Sequence, residues 1–196
     1  MTRAGRLGRE ESGQSLVEMA LVLPLILSMV LGVIEVSYAV LDQHVVTRLT
    51  REGANLISRD VSLLDARTTL ASMNTRPVDF QNGSKVIFSV LKKGGTVGSA
   101  NFDKIVLYQR YEFGALANVS ALTTQGPGAF GPAPDFQALN SDTDVNLRIR
   151  NLPANVDIGR GDLLYVTEVF TRHPWITPLN RFGVAVPTTL YSIAYF

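Results

Sequence analysis

The chain has 196 residues, a formal net charge of +1 and no cysteine. Dispersed charge without a basic stripe argues against a nucleic-acid partner. The absence of cysteine excludes disulfides, thiolate catalysis and Cys-ligated metal, and His44 and His173 are the only histidines.

Residues 1–12 read MTRAGRLGREES, with Arg3, Arg6 and Arg9 set against Glu10 and Glu11. Glycines and the lack of apolar period describe a flexible leader. Positive residues beside an apolar segment stay on the cytoplasmic side. The chain after that segment therefore lies on the far side of the membrane. From Gly13 to Leu41 the sequence is almost wholly apolar, and its formal charges are Glu18 and Glu35. A helix over 14–41 has the length to cross a bilayer core of about 30 Å. The run is too long for a secretory signal, and no A-x-A-like site follows it. Pro24 sits inside the run, which membrane helices tolerate better than soluble ones. Both acids read as markers of the membrane edges. The sharper alternative is that at least one has a partner, because intramembrane acids are costly alone.

The helix is predicted to continue to about residue 59. Val45, Val46, Leu49, Leu56 and Ile57 recur at three- and four-residue steps, and Gly53-Ala54 on that face admits close approach of another backbone. The stretch 42–60 is thus an amphipathic spine for a head spanning 61–196. Within the head, Ser62 to Asp65 resembles a capping box, opening a helix that ends near Met73. Strands are expected at 85–91, 104–113, 145–150, 162–171 and 188–195. Residues 114–142, with a Gly/Pro/Ala cluster from Gly126 to Pro134, read as a flexible loop or insertion. Pro174 to Pro187 is a proline-punctuated loop carrying the single tryptophan, Trp175. The expected fold is α+β: a transmembrane helix, its amphipathic extension and an antiparallel sheet.

Chemistry is sparse. Asp142 to Asn146 begins like a calcium loop, but Leu147 stands where that loop needs glycine and Pro153 where it needs glutamate. His173 has no neighbouring nucleophile and reads as a surface histidine. Arg160-Gly161-Asp162 makes a plain turn before a strand. No catalytic set, cofactor site or metal site is expected, and the chain reads as a non-enzyme. Trp175 is a candidate contact on the head, with a role covering the sheet edge as the equal alternative.

One short pattern is more specific. Gly13 closes a basic leader, and Glu18 lies five residues past it at the top of an apolar helix. This resembles the processing site of type IV-type prepilins, cut after the glycine by a membrane aspartyl peptidase. The run from Gly13 to Gln43, with Glu18, Pro24, Gly32 and Glu35, and its continuation through Thr50 to Ala54, resembles the TadE-like family. These are minor pilin-like proteins of tight-adherence (Tad/Flp) pilus systems. Residues Leu163 to Phe170 with Trp175 and Pro178 resemble the family's C-terminal strand and loop more weakly. Major Flp-type pilins usually have tyrosine after the glutamate; here Met19 stands there, and the head is large.

The resemblance implies a leader over 1–13, cleavage between Gly13 and Gln14, and Glu18 as the partner of the amine so freed. It implies an inner-membrane protein with a periplasmic head. Its partners would be the prepilin peptidase, other pilin-like subunits and the pilus assembly machinery. The alternative is an uncleaved single-pass protein whose periplasmic head serves a partner unrelated to pili.

Overall fold

The computed structural model describes residues 7–73, 75–182 and 188–196. It contains one long helix, one short helix and a four-stranded antiparallel sheet, the α+β arrangement expected from the order of the elements. Helix α1 runs Leu7–Ser58 with Pro24 inside it. Its 52 residues extend about 78 Å at about 1.5 Å each. It starts earlier than expected, so residues 7–12 of the supposed flexible leader are helical. Arg3 and Arg6 lie outside the described residues, as does the end of the loop approaching Pro187.

The chain forms two compact units. One holds helix α1 up to Leu41 together with the segment that starts at Trp175; the other runs Asp42–Pro174 and resumes for the C-terminal strand. In the second unit, α1 is followed by α2 (Leu63–Ser72), β1 (Ser84–Lys93), β2 (Ile105–Gly114), β3 (Leu163–Arg172) and β4 (Thr189–Tyr195). The sheet order is β2-β1-β3-β4, with Phe88 opposite Tyr111 on one side and Thr167 on the other.

Alternation along the strands divides the sheet into two faces. Val86, Phe88, Val90 and Val169 pack with Val46, Leu49 and Ile57 of α1 and with Leu63, Ala66 and Leu70 of α2. The periodic apolar residues of 42–58 thus bury one stripe, as their spacing required. Gly53 lies in that stripe, where a Cβ would stand 2.8 Å from Thr167 Cγ2 and 3.0 Å from Leu70 Cδ1. Ser62 caps α2: its hydroxyl accepts from the Asp65 N–H at 3.1 Å and donates to the Asp65 carboxylate at 2.7 Å. Ser62→Ala is expected to lower stability by about 1 kcal/mol, read as a shifted denaturant midpoint with an unchanged slope.

The strand expected at 145–150 is absent. Residues Val145–Leu147 form a 3-10 turn, and Arg148 and Ile149 make isolated bridges to Val106 and Thr124. Local side chains explain the difference. Asp144 accepts from the Asn146 N–H at 2.9 Å, and the Asn101 amide donates to the carbonyls of Ser141 and Asp144, each at 2.8 Å. Such bonds offer the backbone an alternative to a ladder. Alternation still registers burial there, since Leu147 is buried.

Residues 114–142, expected as a flexible loop, are tied to the sheet. The Ala138 N–H donates to the Tyr108 carbonyl at 2.7 Å, and Gln137 bridges to Gln109. Leu116, Leu122 and Ala138 are buried. Leu122 packs with Leu91, Leu107, Leu164 and Val166, and Leu116 with Ile87 and Phe170. This aperiodic stretch therefore forms the cover of the second face.

Candidate functional site

The first unit is built on helix α1 from Gly13 to Leu41. Large apolar side chains are exposed along it, on all sides up to Val30 and away from Glu35 beyond that, from Leu16, Val17 and Met19 through Leu21 and Leu27 to Val40 and Leu41. A helix apolar on every side fits hydrocarbon or other helices, not water. The segment is long and apolar enough to cross a membrane.

Gly13 lies inside the helix, with nothing within 4 Å of where its Cβ would be. One turn on, the Gln14 side-chain amide donates to Glu18 Oε1 at 3.1 Å. Glu18 is exposed beside Met19, Val22 and Ile26. The pair shares one helical face, as four-residue spacing dictates.

Glu35 stands in a different environment. It is 1% exposed. Its carboxylate accepts from the Thr177 N–H at 2.8 Å, the Thr177 hydroxyl at 2.6 Å and the Ile176 N–H at 3.3 Å. Thr177 immediately precedes a 3-10 turn at Pro178–Phe182. The carboxylate thus holds the two residues that lead into that turn. Trp175, the other candidate, is half-buried two residues before Thr177.

With this geometry in view, residues 13–55 match the model of the family described as TadE-like protein. The segment is TadE-like. The match includes Gly13, Gln14, Glu18, Glu35 and Gly53. Trp175 lies outside it. No curated protein and no solved structure matches the chain.

In the second unit, two features escaped the sequence. His173, read as a surface residue, is 4% exposed, with Nδ1 at 2.7 Å from an Asp42 carboxylate oxygen. The Gln43 amide donates to the Tyr191 carbonyl at 3.1 Å close by in sequence. These bonds tie the start of the amphipathic half of α1 to the ends of β3 and β4.

The other is Glu168 on β3, which is fully buried under the 114–125 cover. Its Oε1 accepts from the Ala121 N–H at 2.8 Å and the Tyr191 hydroxyl at 3.0 Å, and the Ser120 hydroxyl donates to Oε2. Arg110 Nη2 donates to Ser120 Oγ at 3.0 Å and to the Leu122 carbonyl at 3.3 Å. Burial pulls the Arg110 guanidinium below its ordinary value, against the opposing pull of Glu168 and Glu112. Burial likewise pushes the Tyr191 hydroxyl up, reinforced by the Glu168 charge beside it. The carboxylate is enclosed by its own donors and presents no open face to a substrate. Among the described residues, no group of three or more His, Asp or Glu side chains could hold a metal.

Proposed function

We propose that the chain is a minor pilin-like component acting in assembly of a Tad-type pilus. In this reading it resides in the inner membrane with its head in the periplasm, and a prepilin peptidase removes residues 1–13. It needs no cofactor and catalyses nothing. What supports the reading is the helix from Gly13 to Leu41 with its exposed apolar side chains, lying within the TadE-like match and carrying Glu18 one turn from Gln14.

The physics of cleavage gives Glu18 its role. Removing the leader exposes the Gln14 α-amine at the top of an apolar helix. A positive charge there is costly when helices pack, and a carboxylate one turn away, on the same or a neighbouring subunit, neutralises it. That pairing sets the register between helices. The alternative reading, an uncleaved single-pass protein with an unrelated partner, draws on the unbroken course of α1 through Gly13.

Intact mass of the protein from its native membrane separates the two. A mature chain beginning at Gln14 is expected; a full-length mass in the presence of the peptidase overturns the processing claim. Glu18→Ala should be processed near normally yet co-purify with pilus components about tenfold less, the equivalent of about 1.4 kcal/mol. Unchanged co-purification would sink the charge-pairing account.

A further inference from the structure

Glu18 and Glu35 are separated by about 26 Å of helix at about 1.5 Å per residue, slightly less than a hydrocarbon core of about 30 Å. If α1 spans the bilayer, Glu35 lies at the outer boundary of the hydrocarbon. Whatever is hydrogen-bonded to Glu35 must lie at the same depth. That partner is the non-helical segment from Trp175 to the turn at Pro178–Phe182, which belongs to the same compact unit.

The bonds between them solve two problems together. A carboxylate near hydrocarbon is expensive unless donors surround it. Irregular backbone near hydrocarbon is tolerated only where its N–H groups find acceptors within the protein. The Ile176 and Thr177 N–H groups and the Thr177 hydroxyl supply the first need, and the Glu35 carboxylate supplies the second.

The side chains of this strap are divided accordingly. Thr177 and Leu179 are buried, whereas Ile176 (40% exposed), Pro178, Asn180 and Arg181 face outward. Trp175 is half-buried beside them. An indole, an aliphatic side chain and an arginine together suit the headgroup region, where amphipathic rings and cations collect. On the helix itself, Ile34, Val36, Tyr38 and Val40 remain exposed around Glu35, so lipid-compatible surface adjoins the strap on the same unit.

We propose that the segment Trp175–Arg181 is a membrane-surface seat: it lies in the headgroup region of the outer leaflet, contacts phospholipid through Trp175, Ile176 and Arg181, and is held at that depth by Glu35. This rests on the reading that α1 spans a membrane. Glu35 is a positioning residue in the scheme, and the strap is the lipid contact.

The test uses the full chain reconstituted in sealed vesicles of phosphatidylcholine and phosphatidylglycerol. Trp175 is the single tryptophan, so its emission reports the strap alone. Lipids brominated near the carbonyl end of the acyl chains should quench it more than lipids brominated near the chain terminus, and aqueous iodide should quench it weakly. Glu35→Ala should reverse that order, with lipid quenching lost and iodide quenching gained; Glu35→Gln, which keeps one acceptor oxygen, should fall between.

The chain has no cysteine, so Leu27→Cys gives a unique probe of the span. Its protection from a membrane-impermeant maleimide keeps the spanning helix intact as a premise. With Leu27→Cys protected, a Trp175 indifferent to brominated lipid overturns the seat alone. Labelling of Leu27→Cys overturns the span and the seat with it. Trp175 shielded from iodide only after pilus components are added, without lipid quenching, makes the surface a protein contact and also overturns the proposal.

Discussion

Glu168→Ala is expected to destabilise the head by about 3 kcal/mol, the usual consequence of removing one member of a buried charged network. Four groups are left behind. The Ser120 and Tyr191 hydroxyls and the Ala121 N–H lose their acceptor, and Arg110 loses its nearby countercharge. A cavity under the 114–125 cover adds to the loss. Glu168→Gln retains volume and one acceptor oxygen and should cost less than half as much. Replacing Glu168 by Leu and Arg110 by Met together should cost less than Glu168→Ala alone, since neither charge is then stranded. Thermal unfolding of the detergent-solubilised chain, followed by circular dichroism, reads all three. About 3 kcal/mol corresponds to roughly 6–12 °C for a chain of this size. An alanine variant melting within about 2 °C of the wild type, a shift worth under ~1 kcal/mol, would show that the network contributes nothing beyond filling space.

Nothing in the sequence around Glu168 announced this role. A single acid in a strand rich in β-branched and aromatic residues reads as a solvent-facing position. The stretch that buries it, 114–125, has no period, and its donors Ser120 and Ala121 are more than forty residues away. His173 and Glu35 were obscured in the same way, with partners 131 to 142 positions distant. Local physics was legible. The period of 42–58, the cap at Ser62 and the strands β1 to β4 each follow from spacing and residue type within a few positions. The failed strand at 145–150 belongs to the long-range class too. Its alternation was real, but Asn101 holds the preceding carbonyls in a turn from over forty residues away. At the amino terminus the pattern Gly13, Gln14, Glu18 was visible because it is contiguous. The strap on Glu35 was invisible because only the folded chain brings residue 177 beside it.

Gly53→Leu should be at least as damaging as the loss of Glu168, through steric exclusion rather than stranded charge. Gly53 was legible as a site of close approach, and the contact is tight: even a lone Cβ meets Thr167 Cγ2 at 2.8 Å and Leu70 Cδ1 at 3.0 Å. Thr167 is β-branched and fully buried, so it has little freedom to give way. Gly53→Ala sets a gain of about 1 kcal/mol in helix propensity against overpacking of about 1–3 kcal/mol, for a net loss near 1 kcal/mol. A leucine adds three further carbons with no space to enter, and the loss should reach about 3 kcal/mol or more. Thr167 and Glu168 are consecutive on β3 and face opposite sides of the sheet. Gly53→Leu therefore strains the helix-covered face and Glu168→Ala the loop-covered face of one strand. Neither position lies within residues 13–41, so both variants should still insert in the membrane, and under the proposed processing both should lose residues 1–13 as the unsubstituted chain does. If Gly53→Leu melts with the wild type, the helix and sheet are not held at the separation described. Under the proposed pilus role, early melting with pilus assembly unaffected would mean that the amphipathic half of α1 serves only to stabilise the head, and that the pilus contacts must be sought in the apolar half and the strap.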